Sequence, residues 1–387
     1  MPKPKLIRIT TIPGSLNFLL RNQLKYMNQF YEVHTVSSPG EQIEEVKKRE
    51  GVITHVISMT RVISPWKDLK ALIKLIRFLK SERPDIVHTH TPKAGTLGML
   101  AAKLSGVPVR MHTVAGLPLL EAVGFKRKVL NAVEKMTYSC ATKVYPNSFK
   151  LKDIIVSSKF CGEDKLTVIG NGSSNGIDTT HFDPALISEE TKVAIKASGG
   201  IKDTDTVYCF IGRVVRDKGI EELVKAFLLN VETNKNIKLI LVGKFEKDLD
   251  PLDEEIEKII FSHPNIYFAG FQADIRPFLA ITDVFVFPSY REGFPNVVMQ
   301  AGAMGVPSIV SNINGCNEII EHNVNGIIIP VKNTKAISDA MHQLTDDPEI
   351  RKKMAQVCRR MIIERYEQKY IWEQLLKEYQ KQTSKPV

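Results

Sequence analysis

The sequence predicts an α/β protein built from two doubly wound domains. Three observations indicate this: a length of 387 residues, twelve short apolar or β-branched runs that alternate with helical patterns, and a turn-rich passage at 171–176 after which the alternation restarts. Strands that alternate with helices through short connections form parallel sheets covered on both faces. We expect a first domain over 1–184, a second over 185–365, and a C-terminal helix over 366–387 that packs back on the first.

The first domain is expected to contain six strands, because β-branched and apolar residues cluster in runs of four or five. The predicted strands are 6–10, 33–37, 55–58, 86–90, 109–113 and 143–146. Helical spacing of apolar residues between them predicts helices over 16–31, 41–50, 65–83 and 95–105.

The second domain repeats the pattern. Its predicted strands are 207–211, 238–242, 266–269, 284–287, 308–311 and 326–330. In open parallel sheets, ligands bind beyond the carboxyl ends of the strands, so the loops that follow strands are expected to carry the chemistry. The last long pattern, 348–382, is helical with aromatic and aliphatic bulk, and we expect its end to brace the first domain.

Composition excludes several classes of protein. Hydrophobic residues at 43% and charged residues at 25% are typical of a globular chain. The five cysteines are odd in number and scattered, which favours a reducing compartment over a disulfide framework or a zinc site. The first apolar stretch is broken by Arg8 and Thr10, too early for a signal peptide, and no run resembles a membrane span. We therefore expect a cytoplasmic protein.

The net charge of +10 lies at the two ends of the chain. Residues 1–150 carry 24 basic against 10 acidic side chains, residues 151–350 carry 19 against 29, and the last 37 residues carry 10 against 4. The helix predicted over 65–83 is both basic and amphipathic. Two interpretations stay open. The helix covers a sheet and its basic outer face is simply exposed to water, or it contacts the anionic inner leaflet of the cytoplasmic membrane. No nucleic-acid reader motif is present, so a nucleic-acid partner is not expected.

A strand that runs into Gly212 and Arg213, followed by Lys218 at the start of a helix, is typical of an anion site. Glycine permits close backbone approach, the helix start has free amides, and the two cations supply positive charge. A diphosphate fits this description. The simpler interpretation is a loop with ordinary surface cations.

The segment Phe-Pro-Ser-Tyr-Arg-Glu-Gly-Phe-Pro-Asn-Val-Val-Met-Gln, from Phe287 to Gln300, resembles bacterial glycosyltransferase family 4. This is a retaining group with the GT-B fold, in which two Rossmann-like domains face each other across a cleft. The family carries two glutamates separated by seven residues, and this chain has Glu292 and then Gln300. The Asn175-Gly-Ile-Asp turn also resembles the interdomain segment of the family.

The resemblance implies roles for these residues. Glu292 would contact the donor sugar, Gln300 the ribose, and Arg213 with Lys218 the diphosphate. Because a glutamine lacks the charge of a carboxylate, it would hold the ribose more weakly. Backbone near the sugar phosphate completes the predicted donor site, whose further members are Gly14, Gly212, Gly270, Phe271, Gly293, Phe294, Pro295 and Asn296.

Three residues of the first domain follow or end strands. His112 matches the family position that reaches the donor sugar, and it is a catalytic candidate with Glu292, Arg213 and Lys218. His90 and Lys93 are predicted to bind the acceptor. A strand-end histidine satisfied by backbone is the simpler interpretation of His112.

No metal or other cofactor is expected. Asp203 with Asp205, and Asp248 with Asp250, resemble the Asp-x-Asp pairs with which other sugar transferases hold Mn²⁺. The first pair precedes a strand, so we interpret both as solvated turns and predict metal-independent activity.

The resemblance implies transfer of a sugar from a nucleotide-sugar donor, such as a UDP-sugar or UDP-acetamido sugar. The acceptor would be a polyprenyl-diphosphate-linked saccharide in the synthesis of capsule, lipopolysaccharide or another surface polysaccharide. Two alternatives stay open: a GT-B-fold UDP-sugar epimerase, and a non-catalytic sugar or nucleotide binder. The second is retained because Gln300 stands where the family has its second glutamate. A dinucleotide-dependent oxidoreductase is disfavoured because no Gly-x-Gly-x-x-Gly follows the first strand.

Overall fold

A computed structural model describes residues 3–117, 119, 122–246 and 250–384. The chain divides into two units. Unit 1 contains the residues up to Gly176 together with those from Gln368 onward, and unit 2 contains Ile177–Glu367. Each unit has a parallel six-stranded sheet.

The sheet of unit 1 has the strand order β3-β2-β1-β4-β5-β6. Its strands are β1 (Lys5–Ile9), β2 (Glu32–Ser37), β3 (Ile53–Val56), β4 (Ile86–His90), β5 (Val109–Val114) and β6 (Lys143–Pro146). Its helices are α1 (Pro13–Leu19), α2 (Gln23–Met27), α3 (Gln42–Glu50), α4 (Pro65–Glu82), α5 (Pro92–Leu104), α6 (Gly124–Cys140), α7 (Phe149–Ser157) and α16 (Gln368–Thr383).

Helices cover both faces of this sheet because successive strand residues point to opposite sides. In β1, Ile7 and Ile9 join an apolar core with α4, α5 and α6, whereas Leu6 joins a second core with α1, α2 and α16. Arg8 lies two residues after Leu6 and points to the same face of the sheet, and its side chain is fully buried. The second face therefore carries a polar group inside an apolar core.

The helix predicted over 16–31 is wrong in one respect, since two short helices occupy this region. Asn22 adopts a left-handed backbone (φ 64°) between α1 and α2. The buried Glu50 carboxylate accepts hydrogen bonds from the backbone N–H groups of Asn22 (2.9 Å) and Lys25 (3.0 Å). This cap comes from a different helix, α3, so no local pattern could indicate it.

The sheet of unit 2 has the order β12-β11-β10-β7-β8-β9. Its strands are β7 (Thr206–Ile211), β8 (Ile237–Val242), β9 (Ile266–Gly270), β10 (Val284–Phe287), β11 (Ser308–Ser311) and β12 (Gly326–Ile329). Its helices are α8 (Glu189–Ser198), α9 (Ile220–Thr233), α10 (Glu254–Ser262), α11 (Arg276–Leu279), α12 (Asn296–Ala303), α13 (Cys316–Ile319), α14 (Thr334–Asp346) and α15 (Pro348–Tyr366).

The predicted α/β class and the twelve predicted strands are confirmed, although the third strand lies two residues earlier than expected. In unit 2, β7 pairs with β8 on one side and with β10 on the other. The chain leaves these two inner strands in opposite directions, which opens a crevice at their carboxyl ends. The loops after β7 and β10 border that crevice.

The C-terminal pattern forms two helices rather than one, because Glu367 adopts an extended backbone between α15 and α16. The prediction that the last helix returns to the first domain is confirmed. Leu375, Leu376 and Tyr379 of α16 lie in the second core of unit 1, and the Trp372 indole donates to Asn175 Oδ1 at 2.7 Å.

Candidate functional site

The loops after β7 and β10 bring together Lys218 and Glu292, two residues that the sequence singled out. Lys218 Nζ donates to Glu292 Oε1 at 2.5 Å, and the two side chains are only 12% and 18% exposed. The Ser289 hydroxyl donates to the same carboxylate oxygen at 3.0 Å. A largely desolvated ion pair therefore occupies the crevice, and its charges interact more strongly than a surface pair would.

Arg213 lies nearby but does not contact Glu292. Its guanidinium donates to Glu246 at 3.1 Å and lies 3.9 Å from Asp217, and its side chain is 44% exposed. The Asp217 carboxylate also accepts from Arg291 at 3.2 Å. Two arginines thus share one carboxylate beside the Lys218 loop, and Arg291 is a cation that sequence reasoning did not assign.

The segment Gly293–Asn296 joins the Glu292 loop to helix α12, which begins at Asn296. Pro295 precedes the helix, no side chain caps it, and the Val298 N–H donates to Pro295 O at 3.2 Å. The amides of Asn296 and Val297 are therefore the ones available to a ligand. Gln300 follows one turn later and is half-buried. The structure thus places the donor-site candidates of this segment in one stretch of backbone beside the ion pair.

Gly270 ends β9 and Phe271 follows it, and the strands β7 and β8 lie between β9 and β10. The Phe271 ring is 62% exposed, and Lys244 Nζ lies 4.7 Å from its centroid. An exposed ring with a cation beside it offers a stacking platform for a flat ligand. Lys244 is the second residue after β8. Its place in a loop after a strand was the sequence signal that could have identified it.

His112 is 3% exposed in β5 of unit 1 and exchanges a hydrogen bond with the Thr89 hydroxyl at 2.8 Å. A Cβ at Gly95, the fourth residue of α5, would overlap its ring, so the close approach requires glycine there. Burial lowers the pKa of His112 to about 4. The ring is therefore neutral near pH 7 and offers a hydrogen bond rather than a charge.

His90 contacts Arg8, which is fully buried. The Arg8 Nε and Nη2 atoms both donate to His90 Nε2, at 3.1 and 2.9 Å. Burial, then Arg8, then His112 hold the pKa of His90 well below its ordinary value. Because an arginine can only donate, His90 Nε2 is the acceptor and any ring proton lies on Nδ1.

Lys93 and Gly14, the other first-domain candidates, occupy the first turns of helices. Lys93 Nζ donates to Asp68 at 2.6 Å, with both side chains largely buried, and Asp68 also accepts from the Ser64 backbone. Lys93 thereby ties the start of α5 to the start of α4. Gly14 lies in α1, which begins at Pro13, with three residues between it and the end of β1.

The Asp-x-Asp residues that the structure describes contact other protein groups. The interpretation as a solvated turn is wrong for Asp250, whose carboxylate accepts from the backbone N–H of Asp217 at 2.7 Å, beside Lys218. Asp203 pairs with Lys196 at 2.8 Å, and Asp205 accepts from the backbone of Lys202 at 2.8 Å, in the turn before β7. Asp248 lies outside the described residues. Within the described ranges, no three His, Cys, Asp or Glu side chains are grouped as metal ligands would be.

Comparison with known proteins gives two family matches and full-length relatives. The model described as "Glycosyl transferases group 1" matches residues 191–361, and "Glycosyl transferase 4-like domain" matches 20–172. The capsular polysaccharide biosynthesis glycosyltransferase CapM of Staphylococcus aureus is 35% identical over 376 residues, covering 97% of this chain and 96% of its own. An Escherichia coli UDP-Gal:alpha-D-GlcNAc-diphosphoundecaprenol alpha-1,3-galactosyltransferase is 32% identical over 314 residues, covering 80% and 78%.

Solved structures share the fold at low identity. A glycosyltransferase from Rickettsia africae superimposes with a TM-score of 0.83 at 19% identity and covers 100% of both chains. Anabaena HepE in complex with UDP superimposes with a TM-score of 0.81 at 17% identity, covering 98% of this chain and 100% of its own. These likenesses confirm the GT-B fold.

Proposed function

Because the chain belongs to the group 1 glycosyltransferases, with a family 4-like first domain, we propose that it moves a sugar from a UDP-sugar to a polyprenyl-diphosphate-linked saccharide. The observation that carries the proposal is the Lys218–Glu292 pair at the carboxyl ends of β7 and β10. The E. coli relative is named for an acceptor on diphosphoundecaprenol, and HepE was solved with UDP. The first supports a UDP-sugar donor and a lipid-linked acceptor, and the second supports a donor that contains UDP.

The chemistry needs negative charge stabilised on the departing diphosphate and positive charge stabilised on the anomeric carbon. Lys218 and the amides of Asn296 and Val297 at the start of α12 would bind the diphosphate, with Arg213 at the edge of the site. Glu292 would lie beside the sugar. In the free enzyme Lys218 is neutralised by Glu292, so a diphosphate would compete with the carboxylate for the ammonium group.

The family resemblance implies retention of configuration, with attack on the face that the leaving group departs from. In this step the bond from the anomeric carbon to the phosphate oxygen breaks, and the bond to the acceptor oxygen forms. The acceptor hydroxyl proton passes to the leaving phosphate, so UDP and the extended saccharide are the products. No protein nucleophile is required.

Transfer with purified enzyme tests this proposal. Lys218→Ala and Glu292→Gln are each expected to lower kcat about 100-fold or more, the loss typical of removing a group that stabilises transition-state charge. Lys335→Ala is the matched control, because Lys335 forms an exposed i,i+4 pair with Asp339 on α14 of the same unit. UDP release and the mass of the lipid-linked product are measured. Wild-type rates in either site variant would overturn the assignment.

We also propose that unit 1 binds an anionic membrane through its apolar-basic surface. We define this surface by the exposed residues at the starts of α4 and α6: Val62, Ile63, Trp66, Lys67, Leu69, Lys70, Val123, Phe125, Lys126 and Lys128. Helices α4 and α6 both pack against α5, and both follow strands of one parallel sheet, which places their first turns at the same edge.

Large exposed apolar side chains beside lysines are typical of a surface that inserts between anionic headgroups. Trp66 is 79% exposed and Phe125 is 81% exposed. Each lysine near an anionic leaflet contributes about 1 kcal/mol. Among the described residues, no helix is both long and apolar enough to cross a bilayer. Peripheral contact at this surface would bring the enzyme to a lipid-linked acceptor.

A further inference from the structure

The loop after β8 contacts the turn that carries Lys218. This turn is a short 3-10 helix, Arg216–Lys218, and Val215, which precedes it, has no side chain that could cap it. The Asp250 carboxylate accepts from the Asp217 backbone N–H at 2.7 Å, and the Asp250 carbonyl oxygen accepts from the Arg216 N–H at 3.2 Å. One residue of another loop therefore satisfies the first two amides of the turn.

The next two amides of the turn are satisfied locally. The Lys218 N–H donates to Val215 O at 3.2 Å, and the Gly219 N–H donates to Arg216 O at 2.9 Å. All four amides from 216 to 219 thus have partners within the protein. This turn therefore presents an anion with the side chain of Lys218 and not with its own backbone.

The loop after β10 also holds this turn. The Tyr290 N–H donates to the Asp217 carbonyl oxygen at 2.9 Å. Gly219 has a left-handed backbone (φ +69°), and a Cβ there would overlap Pro288 O, so the close approach of the two loops requires glycine. Because residues 217 and 219 are each held, the backbone on both sides of Lys218 is fixed.

The hydrogen bond of Asp250 explains its place better than its charge does. A negative charge beside a diphosphate site repels the ligand, whereas a hydrogen bond from a backbone N–H to a carboxylate is among the stronger ones in proteins. Without this acceptor the partly buried Asp217 N–H would lose its partner, which costs free energy. The turn would then be free to shift.

A shift of the turn would move the ammonium group of Lys218. Lysine carries its charge on a flexible four-carbon stem, so the position of that charge depends on the backbone from which the stem projects. A misplacement of about 1 Å can lower the rate of an enzyme about 100-fold.

We propose that Asp250 is a positioning residue that holds the Arg216–Lys218 turn so that the Lys218 ammonium group meets the diphosphate of the donor. It acts through the backbone of the turn and does not itself touch the ligand. The inference rests on the proposed function, because it takes Lys218 as a ligand of the diphosphate.

The test uses Asp250→Ala, which removes the acceptor, and Asp250→Asn, which keeps an oxygen that can accept from the Asp217 N–H but removes the charge. Asp253→Ala is the matched control, because Asp253 is an exposed carboxylate of the same loop whose side chain does not cap α10. Calorimetry gives the affinities for UDP and uridine, and UDP release gives kcat and donor KM. Asp250→Ala is also made in the Lys218→Ala background. All values are scaled to the folded fraction.

Asp250→Ala is expected to weaken UDP binding about tenfold and to lower kcat about tenfold to 100-fold, with unchanged uridine affinity. Asp250→Asn should stay within about threefold of the wild type, and Asp253→Ala should match it. In the Lys218→Ala background Asp250→Ala should cause no further loss of UDP affinity, because its effect passes through Lys218.

Three outcomes would overturn the role of Asp250 alone, provided that Lys218→Ala itself weakens UDP binding. These are wild-type UDP affinity and kcat in Asp250→Ala, a loss in Asp250→Asn as large as in Asp250→Ala, and an undiminished further loss in the Lys218→Ala background. Absence of UDP binding in the wild type would overturn the proposed donor and this inference with it.

Discussion

Arg8 is a buried charge that adds to the effect of burial on the protonation of its histidine neighbours. It is fully buried, its guanidinium donates to His90 and to Gln23 Oε1 at 2.6 Å, and no described carboxylate lies within ion-pair distance. Burial is the main cause that holds the pKa values of His88 and His90 well below the ordinary range, and Arg8 adds to it. Unit 1 therefore buries neutral imidazoles that acid would charge.

These histidines predict a loss of stability in acid. Their pKa values in the folded protein lie below the unfolded value of about 6.5, so the unfolded chain binds more protons once the pH falls below that value. Stability is then lost as the pH drops from about 6.5 toward the folded pKa, which for His112 is about 4. Each such histidine contributes a slope of at most about 1.4 kcal/mol per pH unit in this window.

Urea unfolding of wild type and His112→Gln between pH 7 and pH 5 checks this prediction. The variant should lose stability less steeply than the wild type as the pH falls. His342→Gln is the control, because His342 is exposed on α14 beside Asp346, and it should follow the wild-type slope. Parallel curves for wild type and His112→Gln would contradict the prediction.

Helix α4 illustrates what a helical pattern can and cannot predict. Its amphipathic character and its bounds were evident from the spacing of apolar residues, and the structure confirms the helix. The residues that enter the core are Ala71, Leu75 and Leu79, whereas Trp66 and Leu69 remain exposed. The sequence contained more apolar residues than one face needs, so only packing against the sheet decided which stripe is buried.

The exposed apolar and basic side chains of the apolar-basic surface predict membrane binding that depends on both charge and apolar contact. Trp66→Ser and Phe125→Ser should each lower the fraction of enzyme that floats with anionic vesicles, because each removes a large apolar side chain from the interface. Leu186→Ser, an exposed apolar site of unit 2, is the control and should bind as wild type. Raising the salt concentration should also weaken binding, since it screens the lysines.

Flotation is compared for phosphatidylglycerol-containing and purely zwitterionic vesicles. The expected order is strong binding of wild type to the anionic vesicles and weak binding to the neutral ones. Equal flotation of wild type and both serine variants would remove the apolar-basic surface from the proposal. It would leave the transfer reaction untouched.

Both units alternate strands with helices, and this repeated pattern explains why so much of the fold was predictable. Alternating strands and helices indicate a parallel sheet, and such a sheet brings strand ends to one edge. Lys218 and Glu292 lie 74 positions apart, yet the rule placed both at that edge. Their direct ion pair was not predictable, because it depends on the conformations of two loops.

Other features depended on contacts that leave no local pattern. The cap of α2 by Glu50 and the contacts of the buried Arg8 each join residues from separate elements. An arginine within an otherwise apolar strand was a signal of an unusual core. Its partners became evident only from the packing of the sheet.

The central claim is that the loops of unit 2 hold a diphosphate, and calorimetry of UDP against uridine tests it most directly. We predict that the wild type binds UDP at least about 100-fold more tightly than uridine, and that Lys218→Ala loses most of this difference while its affinity for uridine is unchanged. Equal affinities of the wild type for UDP and uridine, or an unchanged difference in Lys218→Ala, would contradict it.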